Sequence, residues 1–393
     1  MILLMLLGGL VLEIKSVKQV DQVLKELLAV YRNSNRYSAF IDGQGNAARL
    51  YFRGQSKDYE NSNNIASLLR NNDEDNELDH IKKFPSNIYS QGITSNLQKL
   101  ICMQHYGLHT RLLDVTSCLF VALYFATCSD SSDPGVIYCF PNFLVPADYQ
   151  EKGIVPQETQ RDDQLENTSL DFEVALAYMK PADKKYIYNE SQKFTELIFS
   201  DENSLPLDDR CRVLYEIYET LFGNTEAETL EELEQELKCE DQVNSLNSVP
   251  THYYQAYKLI YPKYMQLNNS PQVCRLLEIL KADSCKAYVK PIDFTKLFTE
   301  CFFVTASQIN PRIKAQHGYF MFQPFLETTS ISTIQNMITQ QYEPQKIIVP
   351  ATYKDLIQKE LRHLGYSRET LFPDEEALGV KYSETINSIN NSH

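Results

Sequence analysis

The chain has 393 residues and a formal net charge of −15, which argues against broad electrostatic binding to nucleic acid or to an anionic membrane surface. Its 43% hydrophobic and 23% charged content suits a soluble globular protein with a sizeable core, and the 13 glycines exclude collagen-like and glycine-rich disordered classes. Nine widely spaced cysteines without a CxxC exclude a zinc ribbon and a thioredoxin-type pair, and fit a reducing, cytoplasmic location.

"MILLMLLGGLVLEI" opens with an apolar run shorter than the roughly 20 residues of a membrane span, and it lacks the basic n-region of a secretory signal. A weak signal or anchor, an upstream extension and an apolar strand leading into "EIKSV" all fit; the last two are preferred, with residues 1–12 set apart as an apolar segment. Residues 13–17 then read as a short strand. Val20, Val23, Leu24, Leu27 and Leu28 give a helical stripe. Gly43 to Gly45 form a turn, "ARLYFRGQ" a strand with alternating apolar positions, and "NNIASLLRNN" a short helix followed by the polar, acidic "NNDEDNELDH", its surface exit or a loop leading into the next helix.

"SNLQKLICMQHYG" reads as a helix ended by Gly107, and "LHTRLLDVTS" as a connector. Ser117 is the expected N-cap of the apolar helix "CLFVALYFATCS", and Asp133-Pro134-Gly135 a turn before the strand "GVIYCF". From residue 142 to about 290 the character becomes mainly helical, with an acidic helix in "ETLEELEQELKCEDQ" and a Tyr-rich one in "THYYQAYKLIYPKYMQ". Strands return in "KAYVKPI", "ECFFVTA" and "HGYFMFQP". "KIIVPATYKDLIQKELRHLG" is a strand-turn-helix unit, and residues 379–393 are a polar tail. The expected fold is therefore α+β: a mixed, mainly antiparallel sheet flanked by helices and interrupted by a helical insertion.

Three stretches carry candidate chemistry. In "YFRGQS", Arg53 sits late in a strand just before Gly54 and Gln55, where a guanidinium could meet a phosphate or carboxylate, or else pair with a surface acid. In "QHYGLHTRLLDVTS", His105, Tyr106, Thr110, Arg111, Asp114, Thr116 and Ser117 gather at the ends of two helices, where unpaired N–H groups favour anions. Arg111 and Asp114 could equally pair with each other as a buried brace. In "NPRIKAQHGYF", Arg312, Gln316 and His317 stand at a strand entrance. Cys102, His105 and His109 lie close in sequence, but Gly107 interrupts their helix and no fourth ligand has the right spacing, so no metal is expected. No Walker loop, GxGxxG, GxSxG or HExxH occurs.

Taken together, Phe52-Arg53-Gly54, "QHYGLHTRLLDVT" with "ALYFA", "NPRIKAQHGYF" and "LFPD" resemble the FRG domain family. The resemblance runs over residues 13–378, in two parts, 13–141 and 291–378, around an insertion at 142–290. His109 stands where the family pattern has proline, and Val115 where it has an aromatic. The layout of the motifs is also similar, more distantly, to ADP-ribosyltransferases. That likeness would place Arg53 at an NAD pyrophosphate or ribose, Thr116 or Ser117 beside the nicotinamide, and Gln316 third, with Glu300 as an alternative base because an amide cannot take up a proton. One pocket is expected from Arg53, His105, Arg111, Asp114 and Gln316, lined also by Gly54, Gln55, Tyr106, Thr110, Thr116, Ser117 and Arg312. It would take an anionic ligand, a nucleotide or NAD, for an NAD-using transferase acting on a protein acceptor or a glycohydrolase. The alternatives are a module that senses a nucleotide or nucleic-acid fragment without chemistry, and a scaffold in which the charges are internal braces.

Overall fold

The computed structural model describes residues 12–33, 48–60, 63–71, 73–84, 96–129, 132–143, 174–200, 205–222, 251–280, 298, 301–304, 311–323 and 331–373. The expected turn at 43–45, the acidic helix at 228–242, the strand at 286–292, Glu300, residues 1–11 and the tail lie outside these. Two compact units divide the chain: Met1–Leu170 with Glu300–Gln323 and Glu327–His393, and Asp171–Thr299 with Pro324–Leu326.

The fold is α+β. In the first unit, β1 (Leu12–Glu13) precedes α1 (Val20–Arg32). Then come β2 (Ala48–Gln55), α2 (Ser67–Arg70), α3 (Glu77–Lys83), α4 (Asn96–His105), β3 (Leu112–Thr116), α5 (Leu119–Thr127) and β4 (Gly135–Phe143). The second unit contributes α6 (Pro181–Phe199), α7 (Leu207–Phe222), α8 (Thr251–Asn268) and α9 (Pro271–Leu280). The first unit resumes with β5 (Phe302–Val304), α10 (Pro311–Ala315), β6 (Gly318–Phe322), α11 (Ile331–Tyr342), β7 (Gln345–Val349), α12 (Lys354–His363) and α13 (Arg368–Leu371).

The seven strands form one sheet in the order β1-β7-β4-β2-β3-β6-β5. Only β1 and β7 run parallel; every other neighbouring pair is antiparallel. Helix α5 is apolar almost all round, as a helix buried on every side must be. It lies close on the sheet because β2 and β4 present glycines to it: a Cβ on Gly54 would stand 1.8 Å from the Ala122 carbonyl oxygen, and one on Gly135 2.1 Å from that of Ala126. Ala122 and Ala126 are one turn apart, so two small residues on the helix meet two glycines on the strands. Around this contact the core gathers Leu12, Val23, Leu27 and Tyr31 with Phe52, Ile137, Ile347 and Ile357. The second unit has its own core, in which Phe194, Ile198, Val213, Ile217, Ile260 and Tyr264 are buried. Among the described residues, no helix is long and apolar enough to cross a membrane.

Several local expectations change. The connector at 108–117 contains β3, buried throughout except at the exposed Asp114, so a strand and not a loop leads into α5. Cys118, not Ser117, is the N-cap of α5, and the Thr116 hydroxyl accepts the Cys118 N–H at 3.0 Å. The first strand is confined to Leu12–Glu13, because Ser16 caps a 3-10 turn at Val17–Gln19. The helix at 63–72 shortens to α2. The acidic stretch after it leads through a 3-10 turn at Glu74–Asn76 into α3, whose first residue, Glu77, is buried to 2% exposure.

Candidate functional site

The site begins with a split in the sheet. Strand β2 pairs with β4 over eight residues, but with β3 only through Phe52 and Thr116. Beyond that point β2 and β3 diverge, and side chains replace the ladder. Arg53 reaches across and donates from Nη1 to the Asp114 carbonyl oxygen at 2.7 Å. Its Nε is buried with no hydrogen-bond partner among the described residues. Burial presses the guanidinium below its ordinary pKa, with the Asp114 carboxylate opposing this shift and Arg70 adding to it. Arginine still stays charged throughout the physiological range.

Asp114 points its carboxylate away from the core. Its Oδ1 accepts from Gln104 Nε2 at 2.8 Å, and the Gln104 amide oxygen accepts in turn from the buried Thr110 hydroxyl. The Thr110 oxygen receives the Leu112 N–H at 3.3 Å. Thr110 thus fixes Gln104, and Gln104 fixes the acid. The Thr116 hydroxyl donates to the Gln316 carbonyl oxygen at 2.7 Å, tying the end of β3 to the turn before β6. The Gln316 side chain donates to the Leu371 carbonyl oxygen at 2.9 Å, and the Arg312 guanidinium lies 4.4 Å from the Phe372 ring centroid. A C-terminal strap therefore holds both residues.

Between these groups is a cavity of about 300 Å³ lined by Arg53, Gly54, His105, Asp114, Thr116, Arg312 and Gln316, with Phe52, Phe125, Tyr319 and Phe320 among its apolar walls. Seven of the expected site residues thus share one cavity. Gly54 has a second role, since its missing side chain admits α5.

The other five lie elsewhere. Arg111 is 3% exposed and does not line the cavity. It makes a bidentate pair with Glu77, Nε to Oε1 and Nη2 to Oε2, both at 2.6 Å, and a 3.2 Å bond from Nη1 to the Gln323 carbonyl. The brace considered for Arg111 exists, but its partner is Glu77 and not Asp114. Thr110 acts behind Gln104, Ser117 is exposed, and Tyr106 is 58% exposed with its ring near Phe84. Gln55 is buried off the cavity with its Oε1 unpartnered among the described residues. His109 lies away from Cys102 and His105 in its contacts: its Nδ1 is 3.3 Å from Asp73 Oδ2. Sequence reasoning missed Gln104, whose place as the last residue but one of α4, beside His105, was the available signal. It also missed Glu77, for which a lone acid in an acidic run gave none.

Residues 48–134 match the FRG domain. This FRG segment runs from the start of β2 to the residue before β4, so it supplies Arg53, Gly54, Gln104, His105, Asp114 and Thr116, together with the Arg111–Glu77 brace. Arg312 and Gln316 reach the cavity from outside the FRG match. No curated protein and no solved structure matches the chain.

Proposed function

We propose that the cavity is a binding site for a small anionic ligand of nucleotide type. The observation that carries this is Arg53, a guanidinium on the cavity wall whose buried Nε has no hydrogen-bond partner among the described residues. A buried donor left unmatched costs free energy, and arginine's planar fork suits a phosphate. Arg312 adds a second cation to the same wall, against Asp114 as the carboxylate. The rings of Phe125, Tyr319 and Phe320 offer apolar faces on which a base could lie. At about 300 Å³ the cavity is at the lower end of small-ligand sites, which favours a mononucleotide over a dinucleotide such as NAD.

Binding without chemistry is the better-supported reading. Gln316 cannot serve as a base, and its amide nitrogen is engaged with Leu371. The second reading, an NAD-using transferase or glycohydrolase acting on a protein acceptor, is favoured by Arg53, Thr116 and Gln316 lining one cavity, with Asp114 as the available acid. The test is calorimetric titration with ribonucleotides and NAD, paired with an assay of nicotinamide release from labelled NAD and with Arg53→Ala in both. Saturable nucleotide binding lost in Arg53→Ala, without nicotinamide release, supports the sensor. Release that depends on Arg53 supports the enzyme. Absence of both overturns the proposal.

A further inference from the structure

Within the cavity, the arginines account for an anion but leave Asp114 unexplained. An acid beside Arg53 weakens anion binding unless the ligand gives something back to it. Nothing about the acid's placement is casual. Its main-chain carbonyl is held by Arg53 Nη1 at 2.7 Å and its Oδ1 by Gln104 Nε2 at 2.8 Å. Gln104 is itself oriented by the Thr110 hydroxyl, and Thr110 is 1% exposed, so the chain of donors starts in the core and ends on the carboxylate. Each link has a fixed direction. Thr110 donates to the amide oxygen, which leaves the amide nitrogen facing Asp114. The other carboxylate oxygen, Oδ2, has no hydrogen-bond partner among the described residues, on a side chain that lines the cavity.

A carboxylate with one oxygen fixed and one open is an acceptor for hydroxyl donors. Accepting from a ribose diol is a general use of an acid placed near a phosphate site. We infer that Asp114 is a specificity-determining residue that accepts from a ribose hydroxyl, so that the ligand is a ribonucleotide and not its deoxy counterpart. This rests on the nucleotide reading of the cavity. Gln104 is then a positioning residue, holding the acid at the angle the diol needs. The ligand carries its anionic end to Arg53 and Arg312 and its sugar hydroxyls to Asp114, which turns the cost of the acid into selectivity. A deoxy ligand leaves Oδ2 desolvated and unpaired, and such omissions discriminate more strongly than a missing apolar contact.

The experiment titrates the full chain with the four ribonucleoside 5′-monophosphates and with their 2′,3′-dideoxy counterparts. The wild type is expected to bind the best ribonucleotide at least tenfold more tightly than its dideoxy form. In Asp114→Ala this ratio falls to within twofold. Gln104→Met leaves the carboxylate in place but releases it, and lowers the ratio to an intermediate value; it also keeps the test usable if Asp114→Ala fails to fold. A wild-type ratio within twofold, or a ratio that survives in Asp114→Ala, overturns the inference while leaving the nucleotide site standing. No binding of any nucleotide overturns both.

Discussion

Arg53 lies on β2 and Arg111 directly before the neighbouring β3, yet the protein uses them in opposite ways. Arg111 is 3% exposed, fits both nitrogens of its fork to Glu77, and gives a third bond to Gln323. Arg53 donates one hydrogen bond, from Nη1, and leaves Nε buried and unpartnered among the described residues. What separates a brace from a binding group is therefore how many donors the protein itself satisfies. The difference also follows from the sheet. Arg111 precedes β3 where β3 and β6 are fully paired, whereas Arg53 lies where β2 and β3 come apart.

The largest expected effect lies on the brace. Arg111→Ala or Glu77→Ala leaves one buried charge uncompensated, which costs about 3–5 kcal/mol. A urea titration should show the midpoint collapse. Replacing both, as Arg111→Met with Glu77→Leu, removes both charges and should recover most of that loss, because a buried pair is often no better than apolar residues of similar volume. Gly54→Ala comes next. Its methyl would collide with the Ala122 carbonyl, a main-chain atom that cannot swing aside, and overpacking of this kind costs about 1–3 kcal/mol or more.

Arg53→Ala reverses the pattern. Its stability should change by less than about 1 kcal/mol, since a single bond to a carbonyl is lost and an unmatched donor is removed with it. Nucleotide affinity should fall at least about tenfold, equivalent to about 1.4 kcal/mol. If Arg53→Ala unfolds the protein as readily as Arg111→Ala does, the contrast between the two arginines is wrong.

The smallest effect concerns Asp73, which stands before the 3-10 turn at Glu74–Asn76 that leads into the helix carrying Glu77. Hydrogen bonding from Asn76, then from His109, with the nearby charge of His80, holds its carboxyl below the ordinary value of 3.8, against the opposing effect of burial. A depressed acid stabilises the fold above its unfolded-state value, and that contribution is lost as pH falls through the lower folded-state value. Asp73→Asn should thus be slightly less stable than wild type at pH 7, and the gap should close in the acid range below 3.8, read by thermal unfolding at a series of pH values.

How much of this was legible beforehand depended on whether a residue's partner was close in sequence. The stripe of α1, the alternation of β2, the αL cap at Gly107 and the strand-turn-helix of β7 and α12 are local patterns, and each was readable. Helix α11 was readable too, through Ile334, Ile338 and Tyr342 at four-residue spacing, but went unread among polar neighbours. Strand β3 was read as a connector because a five-residue strand with an acid at its centre carries little pattern. The pairing of Arg111 with Glu77 spans 34 residues, and Asp114 was the nearer and more obvious acid. Recognition of the cavity came from three motifs read together, since Arg53, Asp114 and Gln316 meet only through sheet order.

The central claim is that Arg53 holds a ligand and Arg111 holds the fold. Calorimetric titration of the best-binding ribonucleoside monophosphate into wild type and Arg53→Ala tests it most directly, with the unfolding midpoint of each recorded alongside. The account predicts saturable binding to the wild type, weakened at least about tenfold in a variant whose midpoint is nearly unchanged. Equal affinity in both proteins, or a midpoint that falls as far as that of Arg111→Ala, would contradict it.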